Sequence, residues 1–280
     1  MKWKIVTDTG SNLRELKNLP NETAFDIVPL IITLDGEEFI DDASLDTEEL
    51  VKKMGESENT STACPAPGVY AEKFKGAENV ICFTISNQIS GSFNSAELGR
   101  EIALEANPDA NIYVLDSKSA GGEMDLLIFK ALELIQAGKD FDELINDLNT
   151  YHKNTYVGYM LQSIDNLVKN GRVSKVVGSL VGLLNINVLG IRSEEGTIEM
   201  SDRVRGEKRA TRRFLKDMTE NGLSGNKIEI GHVNNLELAE KLAKKIKVDF
   251  PEAEIGIRPT SGLCSFYAED DGLIVGYERS

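Results

Sequence analysis

The string Asp8-Thr9-Gly10-Ser11 is the first in the sequence whose residue types could do chemistry. The same string surrounds the catalytic aspartate of pepsin-like proteases, in which two aspartates from two lobes or two chains share a proton. No second Asp-Thr-Gly or Asp-Ser-Gly occurs in the 280 residues, and the chain has too many helical patterns for an all-β protease. We therefore interpret Asp8 by its position. It ends a predicted strand and precedes a predicted helix over 10–17, where it is expected to cap that helix and line the carboxyl edge of a sheet.

Hydroxyl and carboxyl side chains recur where other predicted strands begin or end. They fall in three loops: "TSTACPAPG" (60–68), "SNQISGSFNSA" (86–96) and "DSKSAGG" (116–122). Such loops meet in one crevice of an open α/β sheet, so these side chains are predicted to converge. Ser90-Gly91-Ser92 opens a predicted helix, whose free N–H groups favour an oxygen anion. The plainer interpretation also stays open: Ser92 only caps this helix and Thr62 only closes a turn.

A serine hydrolase is the alternative that these hydroxyls raise. Ser90 would be the nucleophile, with Asp116 and His232 completing a triad. However, the loop reads Ile-Ser-Gly-Ser rather than the G-x-S-x-G elbow, and His232 lies in the other half of the chain. No G-x-G-x-x-G or Walker A string supports a nucleotide site. The only two histidines stand outside any metal-ligand pattern, so we expect no metal site.

Arg172 precedes the most apolar part of the chain. Gly171 is predicted to end a helix with a positive φ, which places Arg172 beside "VVGSLVGLLNINVLGI" (176–191). A solvated arginine and a core-packing stretch are the ordinary interpretations. The glycines and serines of this region also suit the wall of a tunnel for a long apolar ligand.

The elements that must position these residues change in kind near residue 154. Before it, β-branched runs alternate with helical patterns, which is typical of a doubly wound, mostly parallel sheet. After it, hairpins and helices predict an α+β domain with a largely antiparallel sheet. We therefore predict an N-terminal domain over 1–154 and a C-terminal domain over 155–280.

The individual elements follow from hydrophobic periodicity and from capping residues. Asp46 is predicted to cap a helix that has Glu49 at its third position, and Asp140 with Glu143 is predicted to form a capping box. Strands are predicted at 2–8, 24–40 (two strands around an Asp35-Gly36 turn), 79–85, 111–116, 154–162, 186–205 (two strands around a Glu195-Gly196 turn), 227–231, 253–258 and 272–278. Helices are predicted at 45–54, 92–106, 124–138, 141–153, 163–171, 207–220 and 235–249.

Composition excludes several classes of partner. The formal net charge of −15 repels phosphate backbones and anionic lipid headgroups, so we expect neither nucleic acid nor a membrane surface as a partner. Three cysteines without a C-x-x-C favour a reducing, cytoplasmic environment. The first residues lack the apolar segment of a signal peptide, and the stretch 176–191 is too short and too polar to span a membrane.

Seven short strings together resemble the DegV family, bacterial proteins that bind long-chain fatty acids and serve as acyl-carrying subunits of fatty acid kinase. They occur in the family's order and spacing over nearly the whole chain. The family strings T-D-S-T-x-D-L, V-P-L, T-S-Q-P-S, S-S-x-L-S-G-T-Y, D-S, G-G-R-I-S and K-V-R-G-x-K-K-A correspond here to 7–13, 28–30, 62–66, 86–93, 116–117, 170–174 and 203–210.

The resemblance implies a long-chain fatty acid buried between two α/β domains, with no catalytic residue and no cofactor. Its carboxylate is expected at Thr62 and Ser90, helped by the N–H groups around Gly91 and with Ser92 in the same group. In the family, phosphate is added near the arginine of G-G-R and a C-terminal histidine. The resemblance therefore places Arg172, Arg205 and Thr260 at the rim of the site and implies a fatty acid kinase as partner.

The sequence departs from the family at two places. Ala63 and Ala66 replace two hydroxyl residues of T-S-Q-P-S, and Thr260 stands where the family has its histidine. The remaining hydroxyls and N–H groups still satisfy a carboxylate without a buried counter-charge, so lipid binding is expected to persist. Thr260 offers no charge to a phosphate, so poor acyl phosphate formation is expected. A degenerate family member that binds another apolar acid is the second alternative.

Overall fold

The computed structural model describes residues 1–173 and 185–280, which form three β-sheets and the helices around them. The described strands are β1 (Trp3–Asp8), β2 (Thr23–Val28), β3 (Ile31–Leu34), β4 (Glu37–Ile40), β5 (Thr60–Ala63), β6 (Asn79–Thr84), β7 (Asn111–Asp116), β8 (Thr155–Leu161), β9 (Ile186–Arg192), β10 (Ile198–Arg205), β11 (Leu223–His232), β12 (Glu254–Pro259) and β13 (Leu273–Arg279). The described helices are α1 (Thr47–Glu56), α2 (Pro67–Phe74), α3 (Ser92–Ala106), α4 (Gly122–Gln136), α5 (Phe141–His152), α6 (Asp165–Lys169), α7 (Glu207–Glu220), α8 (Leu236–Asp249) and α9 (Gly262–Ala268).

The first sheet is parallel and has the order β2-β1-β6-β7. Alternate residues of a strand face opposite sides of its sheet. Ile5 accordingly packs with residues of α4 and α5, while Val6 packs with residues of α2 and α3. Helices thus cover both faces, which confirms the predicted doubly wound sheet.

The second sheet has the order β10-β9-β8-β13-β11-β12 and is antiparallel except for the pair β11–β12. This confirms the predicted, largely antiparallel sheet of the C-terminal half. Helix α4 approaches it so closely that a Cβ on Gly122 would lie 2.3 Å from the Glu229 carbonyl oxygen. Likewise, a Cβ on Gly276 would lie 2.1 Å from the Glu123 nitrogen, so glycine at both positions permits the contact.

A small antiparallel sheet, in the order β4-β3-β5, connects the two halves. The turn between β3 and β4 was predicted correctly, since Asp35 and Gly36 have φ values of 46° and 89°. The predicted strand before that turn is divided, because the chain leaves the first sheet after Val28 and enters the small sheet at Ile31. Ile32 and Leu34 of β3 pack with residues of the C-terminal half, including Tyr159.

Several local predictions are confirmed by the capping geometry. The Asp46 side chain accepts a hydrogen bond from the Glu49 nitrogen at the start of α1. Asp140 and Glu143 form the full capping box of α5. Gly171 follows α6 with a φ of 71°. The predicted boundary near residue 154 falls between α5 and β8, and the division into two domains stays a prediction.

The helix predicted over 10–17 is wrong, because these residues form turns and irregular backbone. Their polar groups bond to distant parts of the fold instead of to a helix. The Ser11 hydroxyl and the Asn12 N–H both donate to Asp125 Oδ1, at 2.7 and 2.9 Å, and the Leu30 N–H donates to the Thr9 hydroxyl. The same polar side chains that suggested a helix cap therefore hold an irregular segment in place.

Among the described elements, three were not predicted, namely β5, α2 and α9. Each is short, and β5 contains no large apolar residue, so its sequence indicates a loop. Strand β5 forms because it pairs with β3, and its own residues do not predict a strand. Most of the stretch predicted to line a tunnel (176–191) lies outside the described residues, and its described end belongs to β9.

Candidate functional site

An apolar cavity lies where the small sheet, the loops after β6 and β7, and the second sheet meet. Its walls are mostly aliphatic, with a few polar side chains among them. The lining residues are Leu30, Thr62, Ile85, Ile89, Ser90, Ala120, Tyr159, Leu161, Leu167, Arg172, Ile198, Leu263, Cys264, Tyr267, Ala268 and Ile274.

Strand β5 brings Thr62 to this cavity. Side chains alternate along a strand, so Thr60 and Thr62 face the same side of the small sheet. The Thr60 hydroxyl donates to Asn166 Oδ1 at 2.7 Å, and the Thr62 hydroxyl lies 2.8 Å from the Tyr267 hydroxyl. Both hydroxyls thus contact the C-terminal half, and Thr62 does so inside the cavity wall.

Ser90 reaches the cavity from the loop that connects β6 to α3. Its hydroxyl accepts a hydrogen bond from the Ser92 nitrogen at 3.2 Å and lies 3.0 Å from the Ser92 hydroxyl. The prediction that Ser92 caps α3 is wrong, because Ser92 is the first helical residue and Gly91 is the cap, without a side-chain bond. Instead, the Ser92 N–H donates its hydrogen bond to the Ser90 hydroxyl. Ser92 is buried and Gly91 is exposed, so of these three residues only Ser90 lines the cavity.

Arg172 is tied to the Ser90 loop rather than turned into solvent. Its Nε donates to the Ile89 carbonyl oxygen at 2.9 Å, and its Nη1 donates to the Asn170 carbonyl oxygen at 2.5 Å. Its guanidinium carbon lies 5.9 Å from the centre of the Tyr267 ring. Thr62, Tyr267, Arg172 and the Ser90 loop therefore form one continuous polar region of the cavity wall.

Sequence reasoning did not single out Tyr267, although one signal pointed to it. Leu263 and Tyr267 are four residues apart, the spacing that shares a helix face, and both line the cavity. The segment was too short, and too close to a glycine, to be predicted as a helix. Ser261 starts α9 by accepting a hydrogen bond from the Cys264 nitrogen.

Asp8 lies at the carboxyl edge of the first sheet, as predicted, but it serves the backbone there rather than a helix. Its two carboxyl oxygens accept hydrogen bonds from the nitrogens of Gly10 and Ile85, at 2.9 and 3.0 Å. A Cβ on Gly10 would lie within 2.8 Å of the Asp8 carboxyl group, so this turn requires glycine. Complete burial raises the pKa of Asp8 to about 7, against the hydrogen bonds, which lower it. The protease-like string therefore has a structural role, in which Asp8 holds the backbone of the cavity residue Ile85 in place.

The other predicted rim residues lie apart from this polar region. Arg205 is exposed at the end of β10, where it pairs with Ile186 of β9. Thr260 is buried, and its hydroxyl lies 2.8 Å from the Ser265 hydroxyl and 3.3 Å from the carbonyl oxygen of His232. Their role at the rim stays a prediction.

The groups of the alternative hydrolase triad are not hydrogen-bonded to one another. The Asp116 carboxylate accepts hydrogen bonds from the nitrogens of Asn87 and Lys118. The Nδ1 atom of the His232 ring is buried without a hydrogen-bond partner among the described residues, and only the backbone carbonyl oxygen of His232 bonds to Thr260. Within residues 1–173 and 185–280, no group of three or more His, Cys, Asp or Glu side chains is arranged to hold a metal ion. In the same ranges, no helix has the length and apolar character needed to cross a membrane.

Comparison with known proteins gives concordant matches over the whole chain. The model of a family described as "Uncharacterised protein, DegV family" matches residues 2–279. A DegV domain-containing protein of Streptococcus pyogenes serotype M1 is 44% identical over 279 residues, which cover 99% of this chain and 100% of that protein.

Several similar solved structures carry fatty acids. The fatty acid kinase (Fak) B3 protein of Streptococcus pneumoniae, loaded with linoleic acid, is 43% identical and covers 100% of both chains with a TM-score of 0.98. A DegV family protein of Eubacterium eligens, loaded with heptadecanoic acid, is 34% identical with a TM-score of 0.95 and covers 99% of this chain and 100% of that one.

Proposed function

This chain belongs to the DegV family, and from that premise we propose that it binds one long-chain fatty acid in the apolar cavity and presents it to a fatty acid kinase. The observation that carries the proposal is the cavity itself, which combines aliphatic walls with a single region of hydroxyl groups. The two similar structures with linoleic and heptadecanoic acid support the same class of ligand.

The physical chemistry of the cavity suits a fatty acid in both its parts. Each buried CH₂ group contributes roughly 0.8 kcal/mol, so a sixteen-carbon chain offers on the order of 12 kcal/mol before the costs of ordering. A carboxylate taken out of water needs hydrogen-bond donors, and hydroxyl groups provide them without a second buried charge. We propose that Thr62 and Ser90 are these donors.

We further propose that the protein acts by binding rather than by catalysis, without a cofactor and in the cytoplasm. The hydroxyl of Ser90 is bonded to Ser92, and the described structure does not pair it with Asp116 or His232. A serine nucleophile requires a base within hydrogen-bond reach, so this arrangement favours a carboxylate donor over a nucleophile.

The first test identifies the ligand directly. We expect protein purified from bacterial cells to carry about one fatty acid per chain, and we expect delipidated protein to take up hexadecanoate. Solvent extraction with mass spectrometry, followed by titration of the delipidated protein, measures both. Extracts without acyl species, together with no uptake of hexadecanoate, would contradict the proposal.

The second part of this test locates the carboxylate. Ser90→Ala removes a hydrogen bond to a charged group, which is worth roughly 1.5–3 kcal/mol, so affinity should fall by about tenfold or more. Ser224→Ala is the matched control, since its hydroxyl donates to the Glu278 carbonyl oxygen on the second sheet. Equal affinities of both variants would place the carboxylate away from Ser90.

A further inference from the structure

Tyr267 contributes an aromatic hydroxyl to the polar region of the cavity wall, and both its ring and its hydroxyl have partners there. Its ring meets the Phe266 ring edge-on, with centroids 4.9 Å apart and an interplanar angle of 86°. Its hydroxyl lies 2.8 Å from the Thr62 hydroxyl, across 205 residues of sequence. A fixed partner of this kind controls where the Thr62 proton points.

The inventory of donors and acceptors limits how this pair can work. Each hydroxyl group has one proton to donate and two lone pairs to accept with. A carboxylate can only accept, so a Thr62 hydroxyl that donates to it must itself accept from Tyr267. Burial raises the pKa of the Tyr267 phenol above its ordinary value, although the Thr62 bond and Arg172 oppose the rise. The phenol therefore keeps its proton at neutral pH and can serve as the donor.

We propose that Tyr267 is a positioning residue for recognition of the acid group: it donates to Thr62 and thereby directs the Thr62 proton toward the ligand carboxylate. This inference rests on the proposed function and adds a residue that contacts Thr62 rather than the ligand. It also predicts a chemical preference. A long-chain alcohol can donate its own proton to Thr62, so it does not need the direction that Tyr267 imposes.

The test is a double-mutant cycle on delipidated protein, with hexadecanoate and 1-hexadecanol as probes. Tyr267→Phe keeps the ring and removes only the hydroxyl, and one hydrogen bond of this kind corresponds to about a fivefold loss of affinity. We expect that loss for hexadecanoate and little change for 1-hexadecanol. In the Thr62→Val background we expect Tyr267→Phe to have no further effect, because the group it directs is absent.

A matched control separates this effect from the general loss of a tyrosine hydroxyl. Tyr113→Phe removes a hydroxyl that donates to Asn149 Oδ1, outside the cavity, and should leave both affinities unchanged. Should Thr62→Val not fold, the comparison of acid and alcohol in Tyr267→Phe alone still decides the proposal.

Three outcomes overturn the inference: unchanged hexadecanoate affinity in Tyr267→Phe, an equal loss for acid and alcohol, or a loss that persists fully in Thr62→Val. The last outcome would make Tyr267 a direct ligand of the carboxylate. Failure of the proposed function looks different, since the wild-type protein would then bind no hexadecanoate at all.

Discussion

Two of the polar contacts between the halves of the chain have opposite character. One is the α4 junction, which we define as Glu123, Thr155 and Arg192. The Arg192 guanidinium donates to both Glu123 oxygens at 2.9 and 3.0 Å, and the Thr155 hydroxyl donates to Glu123 at 2.8 Å. These side chains are buried, with Glu123 at 0% and Arg192 at 4% exposure. The other contact is the polar region of the cavity wall, which relies on the hydroxyls of Thr62, Ser90 and Tyr267.

The difference between charged and hydroxyl groups shows how one part of a buried interface can hold the halves together while another part can bind a ligand. Buried charges demand partners, and the α4 junction supplies them from within the chain. Two hydroxyl groups that are hydrogen-bonded to each other still have a proton or a lone pair that can form a hydrogen bond to a ligand. The junction therefore holds the halves together, while the cavity wall can exchange a weak internal bond for a bond to a carboxylate.

Breaking the α4 junction should have the largest effect on stability. Arg192→Met leaves the Glu123 carboxylate buried without its cation, which costs about 3–5 kcal/mol of the free energy of unfolding. Urea unfolding measures the loss, and the folded variant should bind hexadecanoate with unchanged affinity. The double variant Glu123→Gln with Arg192→Met is the control, and it should recover part of the lost stability because no charge is left unpaired. A single-variant loss below about 1 kcal/mol would show that the pair does not hold the halves together.

Asp8 can be compared with Glu123 of the α4 junction, because Asp8 is a buried carboxyl group that is neutralised by a proton rather than by a cation. Its pKa is raised from 3.8 to about 7, so the unfolded chain releases this proton near pH 4 while the native protein keeps it up to about pH 7. The contribution of Asp8 to stability is therefore fully present below about pH 4 and is lost as the pH rises through about 7, by at most about 4 kcal/mol.

Asp8→Asn removes this titration and keeps the shape of the side chain. We expect the wild type to lose unfolding free energy relative to the variant as the pH rises from 5 to about 7, with little further change by pH 8, measured by urea unfolding at each pH. A constant difference over that range would mean that Asp8 is ionised throughout. Glu123→Gln is the reference variant, because the Glu123 carboxylate is already paired with Arg192.

The smallest effect is expected from Arg172, which supports the Ser90 loop of the cavity wall. Arg172→Gln removes the bond from Nε to the Ile89 carbonyl oxygen, so the Ser90 loop loses one anchor. One such bond is worth about 1 kcal/mol, and we expect a loss of hexadecanoate affinity of about fivefold with little change in stability. Asp46→Ala is the opposite control: it should lower stability by about 1 kcal/mol through its lost cap and leave affinity unchanged. If both variants changed hexadecanoate affinity and stability in the same way, Arg172 would have no specific role in binding.

Local signals in the sequence were sufficient for most of the fold. The helices over 92–106 and 207–220 and the caps at Asp46 and Asp140 follow from residues close together in the sequence, and the order of strands and helices along the chain predicts the type of each sheet. The loops at strand ends and Gly171 single out Thr62, Ser90 and Arg172, resemblance to the family adds a role for them, and the structure places all three in the lining of one cavity. The predictions of helices and caps succeed because periodicity and capping are decided over a few residues.

The tertiary structure alone decided the contacts that span the chain. The polar residues over 10–17 were predicted to form a helix, yet Ser11 and Asn12 bond to Asp125 because burial requires every carboxylate to find donors. Thr62 became part of a strand only by pairing with β3, and Tyr267 became its partner only when α9 packed against that sheet. Glu123 and Arg192, 69 residues apart, look like ordinary surface charges in the sequence. Their pairing is set by desolvation, which depends on what the whole chain buries and which no local pattern records.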